Sequence, residues 1–146
     1  ALSNLFLEYA PFGDFAVTTS VAIKPEKDYQ QAFLMLWQDH NNYAKIAFLH
    51  SHGGDKVEVA ISRNEKVESR LHETKLTDHA FFRIIRRGDN TEFDDSSNGR
   101  DWQMIDTLKI PMIDLRVGLG ACSPSETESG APSIPAAFDF IRFSKP

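Results

Sequence analysis

Apolar and polar residues alternate along most of this chain with a period of two, the pattern of a strand that buries one face. The alternation is clearest in Asp14–Lys24, where the odd-numbered positions from Phe15 to Ile23 form one face. Gly, Pro, Asn and Ser residues separate such segments, and no segment has the spacing of an amphipathic helix. The pattern therefore predicts an all-β protein, an antiparallel β-sandwich. The other predicted strands are Gln31–Trp37, Tyr43–Phe48, Lys56–Arg63, Lys66–Leu71, His79–Arg87, Thr91–Asp95, Trp102–Ile105, Leu115–Cys122 and Ala137–Phe143.

The segment from Tyr29 to Phe48 reads as a hairpin whose polar turn, Gln38–Asn42, separates two apolar strands. If alternate positions such as Leu34 and Ile46 face the core, the polar members of both strands share the opposite, outer face. That face is a candidate ligand surface because it combines aromatic rings with planar polar groups on rigid strands. Its members are Gln31, Trp37, Tyr43 and Lys45, with Glu58 and Arg116 from neighbouring strands. The alternative is a solvated or partly covered sheet face without a ligand.

Length and charge limit the classes of function. The 146 residues predict one domain, residues 1–146, and a net charge of −5 argues against binding to a nucleic-acid backbone. No apolar run approaches the ~20 residues that span a bilayer. The chain begins with Ala rather than Met, which predicts a processed or excised fragment.

Several blocks of residues, taken in order, resemble the concanavalin A-like jelly-roll domains appended to β-xylosidases and related glycoside hydrolases. They also resemble allied standalone bacterial and fungal sandwich domains. The resemblance covers nearly the whole chain, and it departs from the family at Phe33, where a glycine is usual, and at Phe93–Ser96, where a Tyr-Ser pair is more typical. The matching blocks are Ala10–Phe15, Gln31–Met35, Asp39–Asn42 with Tyr43–Lys45, Arg83–Arg86, Asp95–Gly99 with Trp102, Val117–Cys122 and Phe138–Asp139.

The resemblance implies a secreted or cell-surface accessory module that binds a glycan and is attached to a catalytic domain. It also implies one structural calcium ion near the chain termini, with Glu8, Asp14 and Asp139 as candidate ligands. A bulky Phe33 would alter the outer face and could fill the groove that a sugar would use.

Other candidate sites have simpler explanations. Trp102 follows a polar turn and is expected to anchor a hairpin, and the lone Cys122 is expected to pack as a small buried hydrophobe. His50 and His52 have the spacing of a zinc pair, but no third ligand follows, so a loop pair is favoured. Adjacent Asp94 and Asp95 would point to opposite faces of a strand.

Three hypotheses follow. The first is a non-catalytic carbohydrate-binding module that uses the outer face. The second is a structural or protein-interaction sandwich, which an exposed apolar patch at Phe33 and Met35 would favour. The third is a small hydrolase or epimerase, which needs converging carboxylates; Glu58 and Glu92 are the strand-borne Glu candidates, and nothing places them at the required separation.

Overall fold

The computed structural model describes residues 4–122 and 136–146, and within them the regular structure is entirely β. In this part of the chain, no helix is long and apolar enough to cross a membrane. The strands are β1 (Asn4–Tyr9), β2 (Phe15–Ile23), β3 (Gln31–Asp39), β4 (Asn42–Ser51), β5 (Gly54–Arg63), β6 (Lys66–Glu73), β7 (His79–Arg87), β8 (Asn90–Ser96), β9 (Gln103–Lys109), β10 (Arg116–Cys122) and β11 (Ala136–Ser144).

The strands form two antiparallel sheets. The six-stranded sheet has the order β1-β10-β3-β4-β5-β6, and the five-stranded sheet has the order β11-β2-β7-β8-β9. The non-sequential order of neighbours is that of a jelly roll rather than a simple meander. The predicted antiparallel β-sandwich is therefore confirmed.

The main core lies between the two sheets and follows the predicted alternation. Leu34 and Ile46 of the six-stranded sheet and Val17, Phe82 and Ile84 of the five-stranded sheet are all fully buried. Each strand contributes alternate side chains to this layer, as the pleat requires. The same alternation leaves the opposite side of the six-stranded sheet as a separate outer face.

β1 and β9 differ most from the prediction, whereas several other strands differ from it by a few residues at their ends. β1 is missing from the prediction, because Phe6 and Tyr9 are exposed and Glu8 interrupts the apolar pattern. Among the described strands, β1 lies at the edge of its sheet and pairs with β10 alone. β9 begins at Gln103 and continues to Lys109, so Trp102 precedes the strand instead of opening it. A bulge between Phe93 and Asp94 shifts the register of β8 and β9, which an alternation of two residues cannot reveal.

Candidate functional site

The strand register places the six predicted binding residues on the outer face of the six-stranded sheet. Trp37 pairs with both Arg116 and Tyr43, and Lys45 lies two positions after Tyr43 on β4. Across the same face, Glu58 pairs with Ala47 and Gln31 pairs with Leu49. The six side chains nevertheless form two groups with different surroundings.

The first group is a polar network whose members bind one another. Lys45 Nζ donates to Gln31 Oε1 at 2.5 Å and lies 3.5 Å from Glu58 Oε1. Glu58 Oε2 accepts a hydrogen bond from Ser69 Oγ at 2.6 Å, and Gln31 Nε2 donates to the carbonyl of Tyr29 at 3.2 Å. Gln31 and Glu58 are buried, so a ligand would have to displace partners that are already well matched.

Phe33 fills the space beside this network. Its ring is fully buried on the outer face and lies so close to Gly120 that a Cβ there would meet the ring at 2.4 Å. Lys45 Nζ sits 5.2 Å from the centre of the same ring. With Met35 and Ala47, Phe33 forms a second, smaller apolar cluster, so the exposed patch considered for Phe33 and Met35 is absent from this face. The middle of the outer face is therefore closed.

The second group lies at the end of the face where β3 turns into β4. The rings of Trp37 and Tyr43 stack at 6.1 Å with an angle of 15°, and His40 meets Trp37 edge-on at 5.1 Å. On the other side of Trp37, Arg116 lies 4.8 Å from the centre of the Tyr9 ring and donates to the Tyr9 hydroxyl at 3.1 Å. Tyr9 and Trp37 thus continue the outer face towards the end of the sandwich.

A cavity of about 1500 Å³ opens at this end. Its walls come from four connections, those between β1 and β2, β3 and β4, β7 and β8, and β9 and β10, together with the adjoining strand ends. Trp37 and Arg116 are the two predicted binding residues that line it, and Asp14, a candidate calcium ligand, lines it as well. The volume exceeds that of a typical small-molecule pocket and leaves room for more than one sugar ring.

Exposed apolar side chains surround the opening. Phe12 is completely exposed and Tyr9 is 72% exposed, and both line the cavity. Ile113, which is also exposed, follows Met112 in the β9–β10 connection on the wall of the cavity. Large apolar residues gathered in connecting loops favour a contact with a ligand or partner.

Hydrogen bonds hold the loops of the cavity in place. Buried Arg86 donates to the carbonyls of Ile110 and Met112, which fixes the β9–β10 connection, and burial lowers the pKa of this guanidinium from its usual value. Gln38 Oε1 accepts from the backbone N–H of Ile113 at 3.0 Å. Asp14 Oδ1 accepts from the N–H of Gly88 at 2.8 Å, which joins two of the walls. Because these loops are already held in place, their polar groups can bind a ligand without the entropic cost of ordering the loops first.

The Asp39 carboxylate on the cavity wall suits hydrogen bonding to hydroxyls better than acid catalysis. Asp39 accepts from Asn42 Nδ2 at 2.9 Å and from the N–H of Asn41 at 2.8 Å, and these bonds lower its pKa. The carboxyls whose pKa burial raises to about 6 are Asp94 and Asp95, and neither lines the cavity. A glycosidase acid needs a raised pKa at the site of the substrate.

The structure does not bring together the three candidate calcium ligands. Asp14 stands at the start of β2, whereas Asp139 Oδ2 accepts from Ser20 Oγ at 3.2 Å, about 20 Å further along that strand. Glu8 belongs to the other sheet. Within residues 4–122 and 136–146, no group of three or more His, Cys, Asp or Glu residues is placed to hold a metal ion. These three residues therefore cannot share one ion, and calcium binding itself stays a prediction.

The remaining candidates have structural roles. His50 Nδ1 lies 3.0 Å from Asp55, and His52 occupies a turn with a φ of 53°, so the two do not form a pair on one strand face. Trp102 lies beneath the guanidinium of Arg83 at 4.3 Å. Cys122 is half-buried rather than buried and packs against the Phe33 cluster.

Two cavity residues, Phe12 in the β1–β2 connection and Tyr9 at the end of β1, were missed as site residues. Phe12 stands between Pro11 and Gly13, so it belongs to a loop and not to a strand. An aromatic residue held in such a loop is a sequence signal for surface contact. Tyr9 gave no comparable signal, because its position depends on the unpredicted strand β1.

The two antiparallel sheets and their jelly-roll strand order define a class of protein, the concanavalin A-like sandwich domains. The chain belongs to the family described as protein of unknown function DUF1349, which it matches over residues 3–146. A search of curated proteins gives no match.

Solved structures with the same fold include domains of carbohydrate-active proteins. A xylan beta-1,4-xylosidase from Bacillus halodurans C-125 superposes with a TM-score of 0.84 at 15% identity, over 98% of this chain and 30% of that one. The carbohydrate-binding module CBM66 from Bacillus subtilis gives 0.62 at 11% identity, over 97% of this chain and 83% of the module. A functionally unknown protein from Saccharomyces cerevisiae gives 0.82 at 17% identity, over 97% and 73%. This chain thus spans under a third of the xylosidase, and the resemblance to the sandwich domains of xylosidases is confirmed.

Proposed function

We propose that this domain is a non-catalytic carbohydrate-binding module that holds a glycan in the cavity at the end of the sandwich. The observation that carries the proposal is the large cavity with an exposed aromatic rim, Tyr9 and Phe12, and hydrogen-bonding groups such as Asp39 and His40. Rings cover the apolar faces of sugars, and fixed carboxylates and amides bind their hydroxyls. The similarity to a carbohydrate-binding module supports this class of function.

The cavity is a better site than the middle of the outer face. Gln31, Lys45 and Glu58 bind one another there, and Phe33 occupies the adjoining space. Trp37 is only 9% exposed and has Tyr43 stacked on one side, so its ring is not free to stack on a sugar. Arg116 and the edge of Trp37 contact the glycan from the cavity wall, which both residues line.

Isothermal titration with a panel of plant and host oligosaccharides tests the proposal. We expect Phe12→Ala to weaken binding of the best ligand about tenfold or more, because a lost stacking contact costs on the order of 1–2 kcal/mol. Since Phe12 is fully exposed, its removal should leave the melting temperature unchanged. Tyr29→Ala removes another exposed aromatic outside the cavity and serves as the matched control.

Lys45→Ala separates the two possible sites. If the glycan lies in the cavity, Lys45→Ala should bind as the unchanged protein does. Binding that is lost in Lys45→Ala and retained in Phe12→Ala would contradict the cavity and restore the outer face as the site. No binding to any glycan by the unchanged protein would contradict the carbohydrate-binding function itself.

A second candidate function is docking onto a catalytic domain, with the module secreted as part of a glycoside hydrolase. Exposed Phe12 and Ile113 on the same rim favour it, because a patch of this kind also suits a protein partner. The neighbours in which this fold makes up about 30% of a longer enzyme support such an arrangement. The sequence of the whole gene would test it, and tight binding to an adjoining catalytic domain without any glycan affinity would decide for docking.

A further inference from the structure

The edge of the six-stranded sheet at β6 is long and regular, and most of its residues are exposed. β6 pairs with β5 from Arg63↔Lys66 to Lys56↔Glu73 without a bulge. Every residue of the strand except His72 is exposed, and the strand contains neither proline nor glycine. A regular edge of this kind presents unpaired backbone groups to any strand that can lie beside it.

The turn before β6 determines which of its backbone groups point outward. Asn64 and Glu65 have φ values of 50° and 71°, the two positive angles of a type I′ two-residue turn. The flanking residues Arg63 and Lys66 then form a hydrogen-bonded pair, and bonded and non-bonded pairs alternate along the ladder. Consequently Val67, Ser69 and Leu71 direct their N–H and C=O groups away from β5.

In the middle of β6, from Val67 to Leu71, apolar and charged side chains lie on opposite faces. Val67 and Leu71 are on the outer face, 59% and 41% exposed. Glu68 and Arg70 are on the inner face, opposite the core residues Ile61 and Val59 of β5. The strand therefore carries one apolar pair and one pair of opposite charges, each spaced symmetrically about a central residue.

We propose that β6 pairs antiparallel with β6 of a second copy of this chain, about a twofold axis at Ser69, and joins the two six-stranded sheets into one continuous sheet. In this register Val67 lies opposite Leu71 of the second copy, and Glu68 lies opposite Arg70, each contact occurring twice. The outward backbone groups of Val67, Ser69 and Leu71 supply the hydrogen bonds. Cross-strand apolar and opposite-charge pairs stabilise such a ladder.

Neighbouring registers are opposed by charge. Moving the axis to Arg70 places the two Arg70 side chains opposite each other, and moving it to Glu68 does the same for the two Glu68 side chains. Like charges in directly opposed positions are destabilising. Inward-pointing charges normally protect an edge strand from pairing. Here the register centred on Ser69 pairs each of these two charges with its opposite, Glu68 with Arg70 of the second copy and Arg70 with Glu68.

The contacts already made within one copy are compatible with this pairing. Arg70 Nη1 binds Asp106 Oδ1 at 2.8 Å, and the remaining guanidinium donors can reach Glu68 of the second copy. The cavity lies at the β1, β10 and β3 side of the sheet, whereas β6 is the opposite edge. The pairing goes beyond the proposed function and leaves both cavities open.

Sedimentation equilibrium of the purified protein over about two orders of magnitude in concentration tests the interface. We expect the average molar mass to rise towards twice that of one chain. Glu68→Arg and Arg70→Glu should each remain monomeric, because each places like charges opposite each other. An equimolar mixture of the two should dimerise again, since the introduced arginine of one variant then faces the introduced glutamate of the other. Glu26→Arg, the same charge change at an exposed position outside β6, should dimerise as the unchanged protein does.

Cross-linking tests the register independently of the charges. In a Cys122→Ser background, Ser69→Cys should form an intermolecular disulfide under mild oxidation, because directly opposed residues of a hydrogen-bonded pair lie within disulfide range. Arg70→Cys should not, since its counterpart lies two steps away. Circular dichroism confirms that each variant is folded. A monomer at every concentration, or dimers that Glu68→Arg leaves intact, would overturn the proposal.

Discussion

At the scale of single residues, Gly120 determines whether the outer face can be closed. Its missing side chain leaves the space in which the ring of Phe33 lies, and that ring is fully buried. A β-carbon at this position would come within 2.4 Å of the ring, far inside any normal contact. The absence of a side chain at Gly120 is therefore as important for this contact as the size of the Phe33 ring.

We expect Gly120→Ala to destabilise the protein by about 1–3 kcal/mol, the usual cost of overpacking a buried site. Gly54→Ala is the matched control, because Gly54 has only Lys56 Nζ at 4.0 Å from the added carbon. Urea unfolding of both variants measures the difference. Phe33→Leu should relieve the clash, so the double variant should lose less stability than the sum of the single changes. Additive losses would show that the ring and the glycine are not coupled.

At the scale of elements, β8 carries two adjacent carboxylates to opposite faces of its sheet. Asp94 binds Arg83 Nε at 2.8 Å on the outer side, and Asp95 pairs with Phe82 on the core side. Both are buried, and burial raises the pKa of each to about 6. Their separation follows from the alternation of the strand, as the sequence predicted, whereas the pKa values depend on the packing of the sheets.

Asp95 should make the protein less stable as the pH rises. Its carboxyl has a pKa of about 6 in the folded state against 3.8 for the free group, so the folded state binds more protons in this range. Stability therefore falls from about pH 4 to about pH 7, and the full penalty is present above the folded pKa. Asp95→Asn should remove the part of this slope that Asp95 contributes, leaving the part due to Asp94, and should be more stable near neutral pH by about 1–3 kcal/mol. Thermal unfolding of both proteins across this range provides the measurement; parallel pH profiles would contradict the assignment.

The strands were more predictable from the sequence than the site. Alternation located the core strands because each buries one face, and it placed Gln31 and Lys45 on the outer face correctly. It could not show that Lys45 and Glu58 neutralise each other or that Phe33 closes the groove, because these contacts join different strands. The cavity depends on four loops that meet only in the folded molecule. Strand β1 was not predicted because an edge strand buries too few side chains to produce a regular apolar pattern in the sequence.

At the scale of the whole molecule, the proposed cavity and the proposed β6 interface belong to opposite edges of one sheet. A dimer joined through β6 therefore carries two cavities that remain open. Two linked sites bind a polymer more tightly than one, by as much as about 10²–10⁴-fold when both reach it together. A free oligosaccharide occupies one cavity at a time and gains nothing from the second.

Glu68→Arg should accordingly separate binding to polymers from binding to oligosaccharides. We expect the variant to lose about tenfold or more in apparent affinity for an insoluble polysaccharide that the unchanged protein retains, because it loses bivalency. Its affinity for the matching soluble oligosaccharide should not change, since Glu68 lies outside the cavity. Pull-down on the polymer and calorimetry with the oligosaccharide supply the two values, with Glu26→Arg as the control. Equal losses for both ligands would show that Glu68 acts on the binding site and not through dimerisation. If the oligosaccharide does not bind at all, the carbohydrate function fails while the sedimentation result for β6 stands by itself.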